Sequence, residues 1–155
     1  MTDTIEEDPF DFQHEDRSKK APPFAMVETP ITSYQVWCQL TSAFEGGSNY
    51  WIDSAEKTDR DKLTGKPVYL QDWPFLGGAL LIKVNEEPGT TKRAPHAPGV
   101  WRLDHAALVE GAKVMAALEK GKGGHHWANV VHDDGDAETG DVFLQCCLFG
   151  EIIFG

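Results

Sequence analysis

TSYQVWCQLTSAFEGGSNYWID, residues 32–53, reads as an amphipathic helix, then a double glycine, then a run of polar and aromatic groups. Thr32 and Gln35 fit a capping box, in which the hydroxyl accepts from a first-turn amide while the Gln side chain reaches back to the cap. Tyr34, Trp37, Leu40, Thr41 and Phe44 fall on one face at helical spacing, and Val36 and Ala43 widen it. Gly46 is expected to end the helix in the left-handed conformation, and Gly47 to let the chain reverse tightly. The turn then delivers Ser48, Asn49, Tyr50 and Trp51.

Working outward toward the N-terminus, residues 1–29 hold eight acidic residues against three basic, a net charge of −5, with few aliphatics. That composition forms a poor core and predicts a flexible acidic arm ahead of a single globular domain over 30–155. Within the arm, EEDPFDF at 6–12 sets two aromatics among acids, a pattern that could dock its rings into a partner's groove.

Toward the C-terminus, residues 54–66 read as a polar turn region and 67–71 as a short strand. The best strand candidate is 79–85, with Leu80, Ile82 and Val84 facing a core and Lys83 and Asn85 facing water. The proline-rich stretch 87–99 is a loop, and its Lys92-Arg93 pair reads as a solvated tip. A further strand covers 100–103, and Asp104 is the expected N-cap of a helix over 105–120 whose apolar stripe is Leu108, Val109, Ala112, Met115 and Leu118. Residues 125–131 read as a short helix and 133–136 as an acidic turn. Asp136 or Thr139 then caps a helix through Phe149 that carries Val142, Phe143, Cys146 and Phe149 on one face and is closed by Gly150. Residues 151–155 are expected to be pinned to the core, because Ile152, Ile153 and Phe154 are costly to leave in water; a strand is the alternative there. The resulting fold class is α+β, with a small mixed or antiparallel sheet of three or four short strands packed against about three helices.

Size and composition narrow the function classes. A chain of 155 residues buries a real core as one domain, and no apolar run approaches the roughly 20 residues of a membrane span. With no secretion signal at the N-terminus, a cytoplasmic protein is expected. The odd count of three cysteines, two of them adjacent, argues against a disulfide framework. A formal net charge of −11 argues against general nucleic-acid binding, which needs Lys and Arg to attract phosphate, and is compatible with a basic protein partner.

Two constellations carry possible chemistry. His125, His126, His132, Asp134 and Asp136, with Asp133, combine imidazole and carboxylate as a divalent metal would require, which makes a metal-assisted hydrolase one candidate. Their spacing matches no short metal motif, however, and the expectation is no cofactor. No nucleophile elbow, paired CxxC or phosphate-cradling glycine loop is present. Glu45, Asn49, Tyr50 and Trp51 beside the Gly-Gly turn offer stacking faces and hydrogen-bonding groups together, as small-molecule pockets and interface hot spots do.

AFEGGSNYW at 43–51, with DVFLQ at 141–145 and LFGE at 148–151, resembles the segments A-[FL]-E-G-G-x-x-Y-W and D-x-x-x-Q-x-x-L-F-G-E-x-x-[YF]-G of a family of short, functionally uncharacterised phage and prophage proteins. Phe154 stands where that family often has Tyr. The resemblance implies a phage or prophage origin, hence the cytoplasm of an infected or lysogenic host, and implies that the two segments meet in space; it implies no reaction. Gln145 and Glu151 therefore join Glu45, Asn49, Tyr50 and Trp51 as candidate binding residues. The function expected is a non-enzymatic binding protein that acts on a host protein, as a host-takeover or anti-defence inhibitor, or sequesters a small ligand. A virion or assembly component is the third candidate.

Overall fold

In the computed structural model, which describes residues 30–155, the organising element is the last helix. Every residue from 139 to 149 is buried, so this helix is enclosed all round where the sequence suggested a single apolar face. Its sequence, AETGDVFLQCCLF, has no Lys or Arg, and past Glu138 its only charge is Asp141, so it lacks the charged stripe that a solvated side would need. The arm expected over 1–29 lies outside the described residues.

The chain enters through α1 (Ser33–Ser42), capped as expected: Gln35 N–H donates to Thr32 Oγ1 at 3.1 Å and Thr32 N–H to Gln35 Oε1 at 2.8 Å. The helix widens into a π-turn (Ala43–Gly47), where Gly46 departs from helical backbone (φ 159°, ψ −34°) without taking the left-handed cap geometry expected of it. Residues 54–58, expected within a polar turn region, instead belong to strand β1 (Ile52–Thr58). Its polar composition misled because β1 is an edge strand, with Asp53, Ser54, Glu56 and Lys57 exposed. The strand expected at 67–71 is absent; 3₁₀ turn Leu70–Leu76 occupies that region and buries Trp73, Pro74 and Phe75.

Strands β2 (Ala79–Val84) and β3 (Val100–Leu103) complete an antiparallel three-stranded sheet in the order β1-β2-β3. Ile82 sits between Ala55 and Trp101, and Leu80 between Lys57 and Leu103. Leu80, Ile82 and Val84 are buried and Lys83 is exposed, as the alternation predicts. Asp104 caps α2 (His105–Ala116) by accepting from Ala107 N–H at 2.9 Å; the helix ends four residues short of the expected Lys120. Next come α3 (Gly124–Val131) and α4 (Ala137–Phe149), the latter capped by Asp136. The described residues thus form an α+β fold of four α-helices and one small sheet sharing a single hydrophobic cluster.

Two glycines let neighbouring helices approach α4 closely. A Cβ on Gly140 would lie 2.7 Å from Gln39 O and 2.7 Å from Ser42 Cβ on α1, and one on Gly111 of α2 would lie 2.6 Å from Cys147 Cα. Side chains there would force the helices apart and open the core, a defect that costs several kcal/mol, on the order of 1–3 for overpacking alone. Where α4 ends, Gly150 is left-handed (φ 73°). Arg93 Nη1 donates to Cys147 O at 2.9 Å, and Arg93 N–H to Phe149 O at 2.9 Å. The Lys92-Arg93 pair is therefore only half a solvated tip: Lys92 is exposed, while Arg93 satisfies the orphan carbonyls of a buried helix end.

Candidate functional site

The double-glycine turn and the C-terminal segment meet at one carboxylate. Asp141 is 5% exposed and, among the described residues, pairs with no cation, yet both oxygens are served: Ser48 Oγ donates to Oδ1 at 2.7 Å and Trp51 Nε1 to Oδ1 at 2.7 Å, while Tyr50 OH donates to Oδ2 at 2.6 Å and Gln145 Nε2 to Oδ2 at 3.2 Å. A buried charge survives only when hydrogen-bonded in this way, because leaving water costs it several kcal/mol, roughly 2–7 even for a neutral polar group. Four donors from side chains at 48, 50, 51 and 145 replace that hydration.

Local sequence explains how the donors arrive together. Ser48, Tyr50 and Trp51 lie on the turn after the π-helix, held by Trp51 N–H to Ser48 O and Ile52 N–H to Ser48 O, both 3.2 Å. Gly47 brings that turn against the start of α4, since a Cβ there would collide with the Ala137 carbonyl. Asp141 and Gln145 are one helical turn apart and share a face. Gln145, fully buried, also accepts from Ile153 N–H and Phe154 N–H, both at 2.7 Å, and donates to Phe154 O at 3.1 Å. These bonds hold 151–155 without strand pairing, so the tail is pinned as expected and the strand alternative fails. Phe154 then stacks on Trp51 at 5.4 Å, and Phe149 sits between Trp51 (5.3 Å) and Trp101 (4.9 Å).

The candidate binding residues divide accordingly. Trp51, 2% exposed, and Gln145 are interior and cannot touch a partner. Glu151 is half-buried and accepts from Lys92 N–H at 2.8 Å, which fastens the loop over the end of α4. Glu45 and Asn49 are exposed, and Tyr50 is 54% exposed with its hydroxyl anchored. Burial, followed by the hydrogen bond to Asp141, pushes the Tyr50 phenol well above its ordinary range. Asp141 itself was missed as a site residue: the acid fits a helix start electrostatically, and that reading obscured its place on an otherwise apolar surface. The available signal was the Asp141-Gln145 pair set within DVFLQCCLF.

The histidine-acid cluster serves the docking of α3. His126 is buried, with Nδ1 3.0 Å from Thr139 Oγ1 and Nε2 3.6 Å from Glu138 Oε2; its ring lies 4.0 Å from that of the exposed His125. Desolvation, then the neighbouring His125, lowers its basicity. Asp136 accepts from Thr139 N–H at 2.9 Å, and that bond holds its carboxyl below the usual range. His132 and Asp134 are exposed. No three His, Cys, Asp or Glu side chains among the described residues converge as a metal ion would need. Cys146 and Cys147 are buried within α4, and burial pushes the Cys146 thiol up to about 12, well away from a reactive thiolate.

No protein-family model, no curated protein and no solved structure matches this chain. Among the described residues, no helix is long and apolar enough to cross a membrane.

Proposed function

We propose that the chain is a phage-encoded, non-enzymatic binding protein whose contact surface is the turn bearing Glu45, Asn49 and Tyr50. One observation carries this reading: Tyr50 exposes its ring while its hydroxyl is tied to a buried carboxylate 2.6 Å away. An aromatic presented in a fixed orientation loses little conformational freedom on binding, which is how hot-spot tyrosines gain affinity. Asn85 reinforces the presentation from below, its Nδ2 donating to Tyr50 O at 3.3 Å and its N–H to Trp51 O at 2.9 Å. The polar groups that meet inside the protein are consumed in holding the turn, which leaves recognition to the groups outside.

The net charge of −11 favours a partner with a basic rim, such as a host protein whose activity the phage redirects or blocks. The test is retention of a host protein or small ligand from bacterial lysate by the tagged, full-length chain, with a folded Glu45→Ala, Asn49→Ala, Tyr50→Ala triple variant beside it. Stoichiometric retention by the wild type and its loss in the variant supports the reading. Equal retention by both, or none by either together with no ligand in native mass spectrometry, overturns it.

A further inference from the structure

The short helix α3 is held to the fold by polar contacts at two places. Near its C-terminal end, Gln35 Nε2 of α1 donates to Val130 O and Val131 O, both at 3.2 Å. Nearer its start, His126 Nδ1 lies 3.0 Å from Thr139 Oγ1 of α4, and Asn129 Nδ2 donates to the same oxygen at 3.3 Å. Only His126 and Val130 are buried along α3, and a helix of eight residues does not persist in water without such support. The chain leading into it, KGKGG at 120–124, contains three glycines, with Gly123 left-handed (φ 102°), so it can pivot there.

The hydrogen bonds around His126 have a fixed direction. Asn129 Nδ2 can only donate, so the Thr139 hydroxyl turns its own hydrogen to His126 Nδ1, and the ring carries its hydrogen on Nε2, toward Glu138 Oε2 at 3.6 Å. A second proton has to enter at Nδ1. There it turns an acceptor into a donor that faces the hydroxyl hydrogen, where Thr139 is fully buried and His126 is 4% exposed. We infer that protonation of His126 at Nδ1 unlatches the first half of α3 from α4, so that the helix swings on its Gln35 anchor and withdraws Trp127 from the groove it lines with α1 and α2.

The neighbouring charges do not hold the latch closed. His125, its ring 4.0 Å away, opposes a positive charge on His126. Asp136 and Glu138 of α4 favour one, but Asp136 is committed to Thr139 N–H, and the Glu138 side chain is 75% exposed and screened by water. Helix α1 carries no charged side chain. On α2, Glu110 pairs with Lys113 and His105 lies at the groove, and in the turn before α3 Lys122 pairs with Glu119. Desolvation is the largest influence on His126 and lowers its basicity. The docked state therefore binds this proton less tightly than the open one, so docking is strongest above the ordinary histidine value of 6.5 and weakens as pH falls from there.

The experiment is hydrogen exchange of the full chain, compared as protection factors near pH 7 and near pH 5. Protection in α3 should fall about fivefold, the scale of one lost hydrogen bond, while α4 and β2 are unchanged. The fall should follow the titration of the His126 ring seen by NMR. It should be absent in His126→Asn, whose side-chain oxygen replaces Nδ1 as acceptor for Thr139 and takes no proton. Constant protection in α3, an equal fall in α4 and β2, a ring that titrates at a different pH from the loosening, or a fall that persists in His126→Asn overturns the inference. Should that variant not fold, the match between ring titration and loosening in the wild type decides the matter.

Discussion

Asp141 and Asp72 are both buried carboxylates that pair with no cation among the described residues, and both accept from a tryptophan indole at 2.7 Å; they differ in where their other donors come from. Asp72 takes Val68 N–H and Tyr69 N–H, both at 2.9 Å, from residues three and four positions away, and reaches one distant element through Trp37. Asp141 takes only side chains, three of them about ninety residues distant in sequence. Asp72 therefore shapes a local turn, as a helix cap does, whereas Asp141 joins the first part of the domain to its last helix and, through Gln145, to the C-terminal tail. A similar buried charge organises a loop in one place and the tertiary fold in the other.

The contrast is sharpest when each acid is removed. Asp141→Ala leaves four side-chain donors without an acceptor and should cost about 3–5 kcal/mol by chemical denaturation. Gln145→Leu should cost about 2–3 kcal/mol, with faster exchange at the Ile153 and Phe154 amides as its signature. Asp72→Ala should cost only about 1–2 kcal/mol, the scale of a lost cap. Equal losses for the two Asp variants would break the comparison.

Tyr50→Phe removes one of the four donors and should cost about 1 kcal/mol at neutral pH. Its pH dependence has a definite sign. The folded state holds the Tyr50 proton more tightly than the unfolded state, so the stabilisation is complete below the ordinary tyrosine value of 10.0 and is lost as pH rises from there through the folded value. Wild type should therefore lose stability relative to Tyr50→Phe in alkaline solution. The tyrosinate absorbance titration of wild type, which has three tyrosines, should show a late step that the variant lacks. Identical titrations would show that the phenol is not held by Asp141.

Much of this architecture was legible in local chemistry. The Thr32-Gln35 box, the Asp104 and Asp136 caps and the alternation of β2 are set by neighbours within four residues, and the structure reproduces them. The turn at 48–51 and the last helix, about ninety residues apart in sequence, meet at Asp141. The readings that failed share a cause. Strand β1 looks like a turn because an edge strand keeps water on its polar residues, and its pairing with β2 is invisible locally. Arg93 looks solvated because the carbonyls it satisfies lie 54 and 55 residues away. Trp51 and Tyr50 are adjacent and both aromatic, yet one is sealed and the other displayed.

The chain alone determined the capped starts of α1, α2 and α4 and the alternation of β2, since these follow from side-chain and backbone interactions a few bonds apart. Only the tertiary structure decided that Asp141 is a hub, that Trp51 and Gln145 support the turn from within, and that Tyr50 is left at the surface. Those outcomes depend on what packs across a helix or over a ring, and burial and desolvation have no value until the distant partner is in place.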